Sequence, residues 1–109
     1  MCGIMGVSSN NSSYECYRGL LAIQHRGQDS AGILSFDGII HQKKDKGLVL
    51  NVFSKEEISK LEGAKSIGHV RYPTMGTNAI CEAQPFFLSY PYGIGLAHNG
   101  NITNYQELK

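Results

Sequence analysis

The sequence predicts an α+β domain, and two observations carry that prediction. Apolar runs of strand length recur at residues 3–8, 30–36, 39–44, 65–71, 86–90 and 93–97, bounded mostly by glycine, Asp-Gly or Pro-Tyr-Gly. Interspersed with them is one helix-opening signature in three copies, a hydroxyl residue followed three positions later by Glu or Gln: Ser12 with Glu15, Ser54 with Glu57, Thr103 with Gln106.

Length and composition set the bounds. The 109 residues fit one domain, 1–109, with a single modest core. Folding at this size removes roughly 60 to 70% of the unfolded surface from water. Hydrophobic residues make up 41% and charged residues 17%, and the formal net charge is +1, so there is no basic field suited to nucleic acid or an anionic membrane. No apolar stretch approaches a membrane span, and no basic segment leads into an apolar one at the N-terminus; a cytoplasmic location is expected. Cys2, Cys16 and Cys81 are odd in number, far apart and without a C-x-x-C pair, which argues against a disulfide scaffold or a structural zinc site.

In chain order, a strand is expected from Gly3 to Ser8, directly after Cys2. Asn10-Asn11-Ser12-Ser13 is a turn, and the Ser12/Glu15 box opens a helix from about residue 13 to Gln24, with Tyr14, Tyr17, Leu20, Leu21 and Gln24 toward one face and Gly27 as its stop. The next two runs flank Asp37-Gly38, a strong hairpin signal. Gly47 to Phe53 is expected as a connector or short strand. Ser54/Glu57 then opens a short charged helix ended by Gly63, and the strand 65–71 puts Arg71 at its end. Tyr72 to Pro85 is expected as a loop, followed by two strands and a sharp turn at His98-Asn99-Gly100-Asn101. A last helix should open near Asn104, and with Lys109 less than two turns on, the chain is expected to be the front part of a larger domain.

Several of these positions have the chemistry for catalysis. If Met1 is removed, Cys2 carries a thiol and a free α-amine on one residue, a nucleophile with its own base; the alternative is an ordinary buried thiol at a strand start. Asn99-Gly100 offers a carboxamide and an adjacent flexible N–H, the pair an oxyanion hole needs, and is equally the commonest hairpin turn. Arg71 can hold a carboxylate bidentately or be a solvated surface arginine. Arg26-Gly27-Gln28-Asp29 lines a pocket or forms a mere connection. His25, His69 and His98 stand beside these motifs as loop-orienting hydrogen bonders or as partners of a Cys-His dyad, and His41 is expected to be exposed. Cys16 and Cys81 are expected as packing or surface thiols, and Tyr14 and Tyr17 as core.

Five runs occur in order: Cys2-Gly3-Ile4; Gln24-His25-Arg26-Gly27-Gln28-Asp29-Ser30-Ala31-Gly32; Gly68-His69-Val70-Arg71-Tyr72-Pro73-Thr74; Ala83-Gln84-Pro85-Phe86; and Ala97-His98-Asn99-Gly100-Asn101-Ile102-Thr103-Asn104. Together they resemble the glutaminase domain of the class II, N-terminal-nucleophile (Ntn) amidotransferases, and within that superfamily the amidophosphoribosyltransferase family. The Gln-His-Arg-Gly-Gln and His-Val-Arg-Tyr-Pro-Thr forms separate the chain from the glucosamine-6-phosphate synthases, which have Tyr after Arg-Gly and Trp after the arginine. Asparagine synthetases are more distant.

The resemblance implies the N-terminal part of the Ntn-hydrolase four-layer αββα sandwich. It implies that Cys2 attacks the glutamine side-chain amide, forming a γ-glutamyl thioester and releasing ammonia, with its α-amine as base and then acid. Arg71 would bind the α-carboxylate with Thr74 nearby, Asn99 and Gly100 would form the oxyanion hole, and Arg26, Gly27 and His98 would shape the pocket. The ammonia would serve 5-phosphoribosylamine formation from phosphoribosyl pyrophosphate, the first step of de novo purine synthesis, in a phosphoribosyltransferase domain or subunit absent here. No cofactor is expected in this segment; Mg2+, and an iron–sulfur cluster where one exists, would belong to that remainder. No nucleic-acid or membrane partner is implied, and the parent enzyme is expected to be a homo-oligomer. The chain departs from the family in length: a downstream Ser-Asp-Ser type motif, whose aspartate holds the glutamine α-amino group, is absent. Little or no activity is therefore expected from these residues alone. Two other readings stay open, a non-catalytic module acting as a subunit and another class II amidotransferase such as a glucosamine-6-phosphate synthase.

Overall fold

Residues 2–72, 83–88 and 93–98 are described by the computed structural model. The first apolar run forms strand β1, Gly3–Ser8, and is followed by helix α1, Ser12–Ala22, and a 3-10 turn, Gln24–Arg26. Asp37-Gly38 makes the expected hairpin between β2, Ser30–Phe36, and β3, Ile40–Lys46. Its Gly38 takes a φ of +99°, a left-handed conformation that side chains resist. Two short helices follow, α2 at Val49–Val52 and α3 at Lys55–Lys60, then β4 at Lys65–Arg71, β5 at Phe86–Leu88 and β6 at Ile94–Leu96.

Strands β1 to β4 form one antiparallel sheet in the order β1-β4-β2-β3, and β5-β6 is a separate antiparallel ribbon. Because β4 pairs Val70 with both Gly3 and Ala31, and Gly68 with both Met5 and Ile33, these residues share one face. Helix α1 packs on that face, placing Cys16 and Leu20 in a core with Ile33, Val49, Phe53 and Val70. The approach is close: a Cβ on Gly68 would meet Cys16 Sγ at 2.6 Å and Leu20 Cδ1 at 2.9 Å. Gly68→Ala should therefore overpack the core and cost about 1–3 kcal/mol, seen as a lower urea midpoint at unchanged slope. Burial also pushes the Cys16 thiol up to about 12, so this cysteine is a packing residue with no thiolate to react near neutral pH.

The opposite face carries Ile4, His69, Gly32 and Leu34, again fixed by register. The β5-β6 ribbon lies on it: a Cβ on Gly95 would touch Leu34 Cδ1 at 3.0 Å, and the Pro85 carbonyl accepts from Gln42 and, at 3.2 Å, from Lys44 Nζ. Strand β2 is thus covered on both sides and is buried from Ser30 through Ser35 instead of alternating. Helix, sheet and ribbon make three stacked layers, an α+β architecture as expected. No helix among the described residues is long and apolar enough to cross a membrane.

Three local expectations are corrected. The Ser12/Glu15 capping box does not form: Asn11 is the N-cap, without a side-chain cap bond, and Glu15 takes the Ser9 hydroxyl instead. Ser12 Oγ turns inward to the Gly63 carbonyl at 2.7 Å and to Ser66 Oγ at 2.6 Å, while Ser13 Oγ donates to the Leu61 carbonyl, because the segment packed over this helix end needs donors more than the helix does. The buried face of α1 is Ser12, Ser13, Cys16 and Leu20, leaving Tyr14 50% exposed. Residues 49–52 form a helical turn rather than a connector or strand, since Val49 and Val52 both reach the core and the Val49 N–H donates to Gln24 Oε1 at 2.7 Å. The Ser54/Glu57 box forms fully.

Candidate active site

Cys2 stands one residue before β1, where the Gly3–Val70 pairing sets it beside the C-terminal end of β4. There its sulfur accepts from the Tyr72 N–H at 3.4 Å and donates to the Tyr72 carbonyl at 3.8 Å. The residue is 9% exposed. Arg26, on the 3-10 turn after α1, donates from Nε to the Cys2 carbonyl at 2.8 Å, anchoring the backbone of the same residue from the other side. The turn is held in place by Gln24, whose amide donates to the Gly27 carbonyl. Gly27 has to be small: a Cβ there would lie 2.6 Å from the Arg71 carbonyl carbon and 2.7 Å from its oxygen.

Arg71 is the second candidate group at this sheet end. It is 7% exposed, and its Nη1 donates to Asp29 Oδ2 at 2.7 Å in a largely buried ion pair. Asp29 is locked to the same strand by its own N–H, which donates to the Arg71 carbonyl at 3.0 Å. A charged pair at that distance, shielded from water, is a preoriented guanidinium whose fork suits a carboxylate. The sequence offered Asp29 only as the end of the Arg26–Asp29 stretch, a pocket lining or a connection, because nothing local marks a partner 42 residues away.

His69 is fully buried on β4, with Nε2 2.9 Å from the His98 carbonyl. Since a carbonyl only accepts, Nε2 carries the hydrogen. Burial, together with the positive charge of Arg71 nearby, pushes the His69 pKa from 6.5 down to about 4 despite that bond. The sign follows: the unfolded chain binds a proton between pH 6.5 and 4 that the folded chain refuses. Stability is therefore full above pH 6.5 and falls as pH drops through that window, by about 3 kcal/mol at the acid end. Urea titrations of wild type and His69→Phe across this range should show the acid loss shrinking in the variant.

The structure brings Cys2, Arg26, Gly27 and Arg71 to one end of the sheet, and ties exposed His98 to it through His69. Thr74, Asn99 and Gly100 lie outside the described residues. Two open hollows, of about 470 Å3 over Gly6, Leu34 and Ile67 and about 650 Å3 beside Asn11, Tyr17 and Ile58, are lined by neither Cys2 nor Arg71. Asp37, His41 and Glu62 place ligand atoms within 4.8 Å of one another at the opposite end of β2, six strand positions or roughly 20 Å from Ser30. His41 is half-buried there rather than fully exposed, 3.0 Å from Asp37 Oδ1.

No protein-family model matches the chain. The chain is 50% identical over 110 residues to the amidophosphoribosyltransferase of Pseudomonas aeruginosa, covering 99% of this chain and 22% of the relative. It is 48% identical to the Escherichia coli K12 enzyme of that name and 45% to that of Archaeoglobus fulgidus, covering 100% of this chain each time and 22% and 25% of those relatives. Among solved structures, one titled the allosteric regulatory enzyme of purine biosynthesis superposes with a TM-score of 0.89 at 36% identity, over 99% of this chain and 24% of that one. The Bacillus subtilis glutamine phosphoribosylpyrophosphate amidotransferase, complexed with ADP and GMP, gives 0.79 at 37% identity, over 98% and 23%. The chain thus spans a quarter or less of the length of these enzymes.

Proposed function

Because the chain belongs to the amidophosphoribosyltransferase family, which it matches from end to end, we propose that residues 1–109 carry the nucleophile, carboxylate clamp and oxyanion turn of a glutamine-hydrolysing site. The observation that supports this most directly is the Cys2 thiol seated at the end of β4 beside the Asp29-braced Arg71.

Removal of Met1 frees the α-amine of Cys2, which takes the thiol proton. The thiolate attacks the side-chain amide carbon of glutamine, and the negative oxygen of the tetrahedral intermediate is stabilised by the Asn99 side chain and the Gly100 N–H. Collapse breaks the C–N bond, the protonated amine hands its proton to the leaving nitrogen, and ammonia departs from a γ-glutamyl thioester. Water, deprotonated by the same amine, then releases glutamate. Arg71 and Thr74 hold the glutamine α-carboxylate, Arg26 and Gly27 set the Cys2 backbone and the pocket wall, and His98 adjoins the oxyanion turn. No cofactor takes part within these residues. The ammonia is consumed in making 5-phosphoribosylamine from phosphoribosyl pyrophosphate by a phosphoribosyltransferase domain or subunit, which supplies the Mg2+ and any iron–sulfur cluster, in a cytoplasmic homo-oligomer.

The reading is tested by grafting residues 1–109 in place of the aligned segment of the Escherichia coli relative, verifying Met1 loss by intact mass, and adding the electrophilic glutamine analogue 6-diazo-5-oxo-L-norleucine. One adduct on Cys2, blocked by glutamine, is the expected result; an N-terminal Cys2 that stays unlabelled overturns it. A second reading, a docking module without its own chemistry, draws on the exposed Phe86, Leu88, Ile94 and Leu96 of the ribbon, 39% to 60% accessible. It predicts self-association in sedimentation together with an unlabelled Cys2.

A further inference from the structure

His69 is an expensive residue for a strand centre. It is fully buried and carries no charge, and its Nδ1 has no hydrogen-bond partner among the described residues. A hydrocarbon ring of similar size would fill the space without that penalty. What the imidazole adds is one bond, from Nε2–H to the His98 carbonyl 29 residues away. The other side of the same residue is held as well: the His98 N–H donates to Gln84 Oε1 at 2.5 Å. Gln84 in turn precedes Pro85, whose carbonyl is fastened to the sheet by Gln42 and Lys44. Strand β6 pairs only with β5 among the described residues, so these two bonds, with the packing of Gly95 on Leu34, tie the exit of β6 to the sheet. His98 is covalently joined to Asn99, and β4 ends at Arg71, next to the backbone that holds the Cys2 sulfur.

We infer that His69 and Gln84 are positioning residues that grip the His98 backbone from its carbonyl and its N–H, at the peptide leading into Asn99 and Gly100, the oxyanion donors proposed above. Neither touches the reacting atoms. The inference rests on the glutaminase reading above and adds to it two residues that act through the peptide before the oxyanion donors. Oxyanion donors act on charge that exists only in the transition state, and a displacement of about 1 Å can cost on the order of 100-fold. Loosening the grip should therefore lower kcat and leave KM for glutamine nearly unchanged.

The test uses the grafted enzyme. Gln84→Leu removes the acceptor at a half-exposed position where folding is least at risk, and Gln84→Glu keeps an acceptor oxygen. His69→Phe removes the donor, and His69→Gln restores an N–H that can reach a carbonyl. The expected result is a roughly 10- to 100-fold loss of glutamine-dependent kcat in Gln84→Leu and His69→Phe, with KM within about twofold, partial recovery in Gln84→Glu and His69→Gln, and unchanged activity on free ammonia. Should His69→Phe fail to fold, Gln84→Leu decides alone. Unchanged kcat in Gln84→Leu, or a loss carried by KM, or no recovery in the conservative variants, overturns the inference. Cys2→Ala separates the two levels: if the unmutated graft has no Cys2-dependent glutaminase activity, it is the glutaminase reading that falls.

Discussion

Cys2→Ala in the grafted enzyme should reduce glutamine-dependent ammonia transfer by about four orders of magnitude or more, the scale on which nucleophile deletions act elsewhere. The same variant should keep its activity with free ammonia, because ammonia from solution bypasses the hydrolysis proposed for Cys2. Cys2→Ala changes little in packing: one thiol is lost beside the Tyr72 backbone, and the Arg26 bond to the Cys2 carbonyl is untouched. A parallel loss of ammonia-dependent activity would mean a collapsed fold and not a missing nucleophile. Asn99→Ala should cost less, about 100- to 1000-fold in kcat, since on the proposed mechanism one oxyanion donor is removed while the nucleophile and its base remain. Enzyme that retains Met1 should behave like Cys2→Ala, because an amide nitrogen has no basic lone pair to take the thiol proton.

Asp29→Ala should produce the largest stability effect of any single change at this end of the sheet. Arg71 is 7% exposed, and removing the carboxylate 2.7 Å from its Nη1 takes away a compensating charge from a buried one. The cost expected is about 3 kcal/mol, at the low end for buried pairs because the Asp29 side chain keeps 14% exposure. Function should respond in a distinct way. With Asp29 gone the guanidinium loses its orientation, so KM for glutamine should rise roughly 10-fold or more, equivalent to about 1.4 kcal/mol, with kcat changed less. Asp29→Asn keeps the shape and an acceptor oxygen and should fall between the two. If the urea midpoint drops in Asp29→Ala while KM stays constant, the pair is structural and Arg71 is not the carboxylate clamp.

Much of the fold was legible because its signals are local. Asp37-Gly38 between two β-compatible runs can make little else than a hairpin, and Ser54 with Glu57 needs only its own turn to close a capping box. Strand β1 directly after Cys2, and β4 ending at Arg71, follow from apolar runs of the right length. The misreadings share a cause, a tertiary competitor for a local group. Ser12 had the sequence of a cap, yet Gly63 and Ser66 claimed its hydroxyl. Val49 and Val52 looked like strand residues, but a helical turn buries both and lets Gln24 satisfy the Val49 N–H.

The candidate site divides in the same way. The sequence by itself determined which groups are present: a cysteine that becomes N-terminal on loss of one methionine, an arginine at a strand end, an Asn-Gly pair, and the order of five motifs that match one family along the whole chain. Those are covalent facts, and composition and spacing carry them. Only the tertiary structure decided how the groups are held. The Arg71–Asp29 pair, the seat of the Cys2 sulfur on the Tyr72 backbone and the grip of His69 and Gln84 on His98 join positions 42, 70, 29 and 14 residues apart. No local propensity encodes such pairs, because each exists only once the antiparallel register of β1, β4 and β2 and the seating of the β5-β6 ribbon have been chosen, and that choice is made by burying apolar side chains on both faces of the sheet.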